Sequence, residues 1–222
     1  MACALSDRSL QRRMLRRILR DFPVRPWSGR SGAFSVLVGT ILSQNTNDRN
    51  SDLAYRRLAR RFQITPEVLS GASVGEIIDS IRVAGLYKSK SRNIKRVSEI
   101  VLRKYNGRLT SVLHMPAEEA RNELMALPGV GPKTADILLA FVAGRDVIPV
   151  DTHITRVSNR LGIVPRNARY ELIRARLEEL VPPKERLRMH LSMIRFGRET
   201  CRAPRPKCVV CPINRSCPSS TI

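Results

Sequence analysis

A lysine that could act as a nucleophile follows a glycine-rich turn in the middle of the chain. The stretch LPGVGPKTA, residues 127–135, places Lys133 two residues after the second of two glycines. A neutral amine can attack an electrophilic carbon and form a Schiff base. The alternative is a solvated lysine that lies beside a bound phosphate, and the turn alone does not decide between these roles.

The turn itself, Gly129-Val130-Gly131, lies between two segments with helical spacing and therefore predicts a helix-hairpin-helix. Glycines permit a tight turn, and their amides together with the start of the next helix form a site suited to a phosphate. Such a turn can hold a DNA backbone without reading its sequence. An ordinary tight turn is the alternative. In a chain with a formal charge of +21 we favour phosphate binding.

A carboxylate that could assist a lysine occurs in PVDTHITRV, where Asp151 follows an apolar run and opens a helical segment. Aspartate at this position is typical of a simple helix N-cap. Beside a lysine in a cleft, the same carboxylate could stabilise a sugar cation and transfer protons.

Four cysteines near the C-terminus have the spacing C-x6-C-x2-C-x5-C: Cys201, Cys208, Cys211 and Cys217. Four clustered thiolates in an otherwise cysteine-poor chain indicate metal binding rather than disulfides. Either Zn²⁺ or a [4Fe–4S] cluster could bind them, and the spacing does not choose between the two.

The composition indicates a polyanionic partner. The 222 residues carry 40 Lys and Arg against 19 Asp and Glu, and the sequence pI is about 11.2. Such a charge attracts nucleic acid, although charge alone supplies no chemistry. We find no apolar run long enough for a transmembrane helix and no secretory h-region, so we expect no membrane association and a cytoplasmic or nucleoid-associated protein.

The periodicity predicts an all-α fold with about ten helices, since apolar residues recur at helical spacing and no alternating strand is found. The N-terminal segment is expected to form a basic helix that buries Leu15, Ile18 and Leu19. Thr65 and Ser73 are predicted N-caps, and Ser73 with Glu76 fits a capping box.

Taken together, these motifs resemble the endonuclease III family of helix-hairpin-helix DNA glycosylases with an iron–sulfur cluster. The resemblance covers almost the whole chain and implies two helical lobes with a DNA-binding cleft between them. One lobe would comprise residues 32–145, and the other residues 1–31 with 146–222. It further implies that Lys133 and Asp151 are catalytic and face each other across the cleft, and that the four cysteines hold a [4Fe–4S] cluster.

Two further positions follow from the resemblance alone. The segment TILSQNTND is similar to the family segment whose glutamine fills the gap left by an extruded base, which is Gln44 here. The segment GLYKSKSRNI is similar to the loop with a wedge leucine, which is Leu86. The chain departs from common family residues at four positions: Asn45, Asn47, Asp48 and Phe196.

The function implied by the resemblance is that of a bifunctional DNA glycosylase and abasic-site lyase, acting as a monomer on double-stranded DNA. Oxidised pyrimidines are the default substrate. One alternative is a monofunctional mismatch glycosylase that removes T or U opposite G; Lys133 argues against it, because relatives without lyase activity usually replace that lysine. A non-enzymatic iron–sulfur DNA-binding module is the other, and it would need neither Lys133 nor Asp151.

Overall fold

The structure, a computed structural model, describes residues 7–24 and 32–222. Within these ranges the chain forms twelve α-helices and four short 3-10 helices, and it contains no strand. The predicted all-α class is confirmed. None of the helices in the described ranges is long and apolar enough to cross a bilayer.

The described residues pack into two compact units, one formed by residues 32–145 and the other by residues 7–24 with 146–222. The two-lobe organisation inferred from the resemblance stays a prediction. Two stretches of the second predicted lobe, residues 1–6 and 25–31, lie outside the described part of the chain. The fifth cysteine, Cys3, is in the first of them.

The unit of residues 32–145 contains eight α-helices and the 3-10 helix Arg82–Ala84. The α-helices are α2 (Ala33–Ser43), α3 (Asp48–Arg61), α4 (Pro66–Gly71), α5 (Val74–Ile81), α6 (Tyr87–Tyr105), α7 (Thr110–Leu113), α8 (Ala117–Met125) and α9 (Pro132–Phe141). The side chains of Asn47, Thr65 and Ser73 cap α3, α4 and α5, and the capping box at Ser73 is confirmed. Each cap satisfies a backbone amide that the helix leaves unpaired.

The other unit is built from α1 (Arg8–Asp21), α10 (Thr152–Arg160), α11 (Tyr170–Leu180) and α12 (Arg186–Glu199). As predicted, α1 buries Leu15, Ile18 and Leu19 against a shared apolar core. Three 3-10 helices complete the unit: Pro183–Glu185, Cys208–Val210 and Asn214–Ser216.

Helix α6 starts at Tyr87. The chain reaches it through Gly85 and Leu86, whose φ angles of +61° and +45° lie in the left-handed region. These angles cannot continue the preceding helix, so they end one helical segment and reorient the chain for the next. The short helix α7 has no periodic signal and was not predicted.

Candidate active site

The glycine turn joins α8 to α9 and forms the predicted hairpin. Gly129 has φ +76°, and a Cβ atom there would lie 2.4 Å from Nδ2 of Asn93. Both the backbone angle and the close approach of Asn93 therefore require glycine. Gly131 has an ordinary φ of −101° and open space beside it. The amides of Gly129 and Gly131 make no hydrogen bond to any residue that the structure describes, so both can bind an external acceptor.

A buried ion pair joins the two helices of the hairpin. Nε of Arg121, on α8, donates to Oδ1 of Asp136, on α9, at 2.8 Å, and their side chains are 9% and 0% exposed. Removing one partner of such a pair leaves a buried charge and costs about 3–5 kcal/mol. The pair therefore fixes how α9 leaves the turn, and with it the position of Lys133.

Lys133 is the second residue of α9, directly after Pro132 at the first helical position. Proline is favoured there because its fixed φ suits a helix start. The side chain of Lys133 is exposed and makes no hydrogen bond or ion pair with the described residues. Its amine is thus available at the surface beside the turn.

Gln44 ends α2 and contacts the hairpin directly. Its Nε2 donates to the carbonyl oxygen of Gly129 at 2.8 Å and lies 3.3 Å from Oγ1 of Thr134. The structure therefore brings Gln44, the glycine turn and the start of α9 together, as expected if all three belong to one site.

Leu86 lies at the tip of the loop before α6. It is 60% exposed and has the left-handed angles φ +45° and ψ +29°. A left-handed conformation costs a residue with a Cβ atom roughly 1–2 kcal/mol. The sequence alone would place this leucine in the core, whereas the structure presents it to solvent.

Asp151 is the N-cap of α10, and its Oδ1 accepts a hydrogen bond from the amide of Ile154 at 2.8 Å. Its other carboxylate oxygen has no hydrogen-bond partner among the described residues. The N-cap interpretation is correct as local structure, and it leaves one oxygen free for a substrate. Lys133 and Asp151 belong to different units, so their juxtaposition stays a prediction.

The extended segment before Asp151 is held by side chains that the sequence analysis did not single out. The amide of Ile148 donates to Oε1 of Glu178, at 3.1 Å, and the amide of Val150 to the hydroxyl of Tyr170, at 3.2 Å. Nδ1–H of the buried His190 donates a hydrogen bond to the carbonyl oxygen of Pro149 at 2.8 Å. These groups satisfy backbone atoms that no sheet pairs, and they fix where Asp151 enters its helix.

All four predicted cysteines line one cavity, together with Arg160, Phe196 and Ser220. Arg160 donates to Sγ of Cys201 at 3.4 Å, and the buried hydroxyl of Ser220 has no partner within the described residues. In the same ranges, no three Cys, His, Asp or Glu groups converge on one point as a single metal ion requires. Thiols distributed around a cavity suit a cluster that takes one thiolate per iron, so the residues present fit a [4Fe–4S] group.

The environment of the thiols differs across this cavity. A hydrogen bond with Thr221 lowers the pKa of Cys208, while burial raises the pKa of Cys211 and of Cys217. Bound iron would need all four as thiolates, so assembly releases protons. Phe196 is buried in the cavity wall and packs edge-on against Phe22, with ring centroids 5.1 Å apart.

The cysteine loop also anchors the helix that begins at Asp151. Arg156 donates to the carbonyl oxygens of Cys201, at 3.1 Å, and Gly197, at 2.9 Å. Arg160 donates to those of Arg202 and Ala203. Two arginines of α10 therefore connect it to the cavity wall, and folding of the loop positions the candidate carboxylate.

Comparisons with known proteins agree with this architecture. Residues 38–183 match the HhH-GPD superfamily of base excision DNA repair proteins. The chain is 35% identical to endonuclease III of Thermotoga maritima over 204 residues, which are 92% of this chain and 90% of the relative. It is also 35% identical to endonuclease III of Sulfolobus acidocaldarius, over 83% of this chain and 81% of the relative.

Solved structures show the same fold. A trapped covalent endonuclease III–DNA intermediate superimposes with a TM-score of 0.86 at 31% identity and covers 97% of both chains. A thermostable thymine-DNA glycosylase superimposes with a TM-score of 0.80 at 22% identity, over 96% of this chain and 97% of its own; this match shows the fold alone. The chain belongs to the HhH-GPD superfamily of base excision DNA repair proteins, with endonuclease III among its relatives. Its activity is that of a DNA glycosylase, and the predicted family is confirmed.

Proposed function

We propose that this protein is a bifunctional glycosylase and abasic-site lyase that removes oxidised pyrimidines from double-stranded DNA as a monomer. The observation that carries the proposal is the exposed amine of Lys133 directly beside the glycine turn: neither this amine nor the amides of Gly129 and Gly131 have a partner among the described residues. The turn supplies a phosphate site and the lysine a nucleophile within the same few residues. The trapped covalent DNA complex of a relative that is 31% identical supports a covalent route.

Binding begins with the DNA backbone. The amides of Gly129 and Gly131, with Val130 between them, hold a phosphate of the damaged strand, and the +21 formal charge attracts the duplex. These contacts carry no sequence information, which suits an enzyme that must find a lesion in any context.

The reacting carbon is inaccessible while the damaged nucleotide is stacked, so the nucleotide must be extruded. Leu86 is exposed on a strained loop and can enter between base pairs, as apolar wedges do in other DNA-bending proteins. The side-chain amide of Gln44 occupies the gap and offers hydrogen bonds to the base left opposite.

The chemistry then proceeds through a Schiff base. Neutral Nζ of Lys133 attacks C1′ of the deoxyribose, the C1′–N bond breaks, and the base leaves with the electron pair and takes up a proton. Opening of the sugar ring gives an iminium ion between C1′ and Nζ. Loss of a proton from C2′ expels the 3′ phosphate by β-elimination, and water finally hydrolyses the imine to free the lysine.

Asp151 acts on the charge that develops at the sugar. Its free carboxylate oxygen stabilises the positive charge at C1′ and assists the proton transfers that accompany ring opening. The N-cap bond to Ile154 holds the carboxylate in one orientation, so less reorganisation is needed during the reaction.

The four cysteines hold a [4Fe–4S] cluster when iron is available. Bound, it supplies covalent cross-links that order the C-terminal loop, and none of the steps above requires electron transfer. The basic residues Arg202, Arg205 and Lys207, which lie between Cys201 and Cys208, present positive charge to the DNA.

A product analysis on four duplexes tests the proposal. The duplexes carry thymine glycol, a preformed abasic site, uracil opposite G, or a T·G mismatch. We expect thymine glycol release with strand nicking that needs no alkali. Base release from a mismatch with nicking only after alkali would instead make the protein a monofunctional mismatch glycosylase, and binding without any product would make it a DNA-binding module.

A further inference from the structure

A buried lysine connects the two segments that carry Gln44 and Leu86. Lys90 lies on α6 and is 3% exposed. Its Nζ donates to the carbonyl oxygen of Leu42 at 2.8 Å and to that of Ala84 at 2.7 Å. Leu42 precedes Gln44 by two residues, and Ala84 precedes Leu86 by two.

The contacts of Lys90 are those of a cross-link between backbone segments. Leu42 lies in the last turn of α2, where carbonyl groups lack partners within the helix and carry partial negative charge. Ala84 ends the 3-10 helix before the left-handed loop. A buried ammonium group is costly without partners. The partners of Lys90 among the described residues are two neutral carbonyls, and burial lowers the pKa of Lys90.

We propose that Lys90 is a positioning residue that fixes the spacing between the gap-filling Gln44 and the wedge Leu86. Inserting a wedge into stacked DNA pushes the loop back toward the protein, and the Lys90 contact opposes that displacement from behind. Because the same ammonium group holds the end of α2, the two inserting side chains move together. This inference rests on the proposed function.

The chain supplies a matched control on the same helix. Lys95 donates to the carbonyl oxygens of Ser70, at 2.7 Å, and Ala72, at 3.0 Å, at the end of α4. It therefore makes a similar pair of backbone bonds, together with an ion pair to Glu99 at 3.4 Å, but supports neither inserting residue. Its loss should lower stability without changing base extrusion.

The test compares Lys90→Met with Lys95→Met in single-turnover assays. Extrusion is followed by the emission of 2-aminopurine placed next to a thymine glycol, and the chemical step alone by covalent trapping at a preformed abasic site. We expect Lys90→Met to reduce the emission change and to slow excision by about tenfold or more, with trapping reduced by less than about threefold. Lys95→Met should leave the rates of excision and of trapping within about twofold of the wild-type values.

A double variant tests the route of the effect. If Lys90 acts through the wedge, Lys90→Met should slow excision little further in a Leu86→Ala background. If Lys90→Met does not fold, Lys90→Gln, which keeps an uncharged N–H₂ donor group, replaces it. Equal effects of the Lys90 and Lys95 variants, or equal losses of excision and trapping, would overturn the inference. Wild-type protein without excision on any duplex would instead refute the proposed function.

Discussion

The side-chain amide of Gln44 donates to the carbonyl oxygen of Gly129, 2.8 Å away. The turn whose amides we propose to bind a DNA phosphate thus offers its carbonyl to the residue proposed to fill the place of the extruded base. Moving Gln44 into DNA breaks this hydrogen bond, at a net cost of about 0.5–1.5 kcal/mol. That cost is small, so the contact can hold Gln44 near the hairpin before DNA binds without preventing its insertion.

Two glycine variants separate phosphate binding from folding. Gly131→Ala places a methyl group in open space at an ordinary φ, so we expect unchanged thermal stability. Because the same open space is where a phosphate would approach the turn, we expect duplex binding to weaken by about tenfold. Gly129→Ala should lower the free energy of unfolding by about 2 kcal/mol, because it strains a left-handed residue and clashes with Asn93.

The control for this pair is Gly71→Ala, which also adds a methyl group in open space, at the end of α4. Gly71→Ala should change neither the thermal stability nor the affinity for the duplex. Calorimetry and binding titrations measure the two effects, and full duplex affinity in Gly131→Ala would argue against the turn as a phosphate site.

Replacing Leu86 by glycine should relieve backbone strain in the loop and slow base excision. Glycine relieves the left-handed strain, so we expect stability to stay constant or to rise by up to about 1 kcal/mol. Without a wedge, excision of thymine glycol should slow by about tenfold or more. Leu102→Ala, at an exposed leucine within α6, serves as the control. A Leu86→Gly protein with wild-type excision rates would remove the wedge from the mechanism.

Asparagine and alanine distinguish the two roles of Asp151. Asparagine caps helices as well as aspartate does, whereas alanine costs about 1 kcal/mol. Asp151→Asn should therefore keep wild-type stability and slow base excision by about 100-fold, the range of general acid–base effects. Thermal melting and single-turnover kinetics measure this. An Asp151→Asn enzyme with full activity would reduce the residue to an N-cap.

Iron content tests the cysteine site. Protein purified without air should contain about four irons per chain and absorb broadly in the visible range, whereas zinc bound to the same thiolates would be colourless. Cys208→Ser should lower the iron content and the thermal stability together, because the loop that anchors α10 loses a cross-link. Zinc in place of iron, or stability independent of bound iron, would contradict the assignment.

Local features of the fold could be predicted from the sequence because neighbouring residues determine them. The caps at Thr65, Ser73 and Asp151 form as their residue types indicate. The exposure of Leu86 could not be read from periodicity, since a left-handed residue interrupts it. Its role, like that of Gln44, came from the family resemblance.

Contacts between distant segments could not be predicted from the sequence. Lys90 stands at helical spacing with the buried Ile94 and Val97, but a lysine is expected at the surface, and only packing shows it inside the fold with two carbonyl partners. The close approach of Asn93 to Gly129 and the bond between His190 and Pro149 likewise depend on how helices meet. The sequence around each residue does not indicate such a pair, because each residue taken alone is of an ordinary type for its position.

Borohydride trapping is the most direct test of Lys133 as the nucleophile. Wild-type protein, Lys133→Ala and the control Lys88→Ala, which changes another exposed lysine of the same unit, are each mixed with an abasic-site duplex and reduced. We expect a covalent protein–DNA adduct with the wild type and with Lys88→Ala, and none with Lys133→Ala. An undiminished adduct with Lys133→Ala would show that another amine forms the Schiff base.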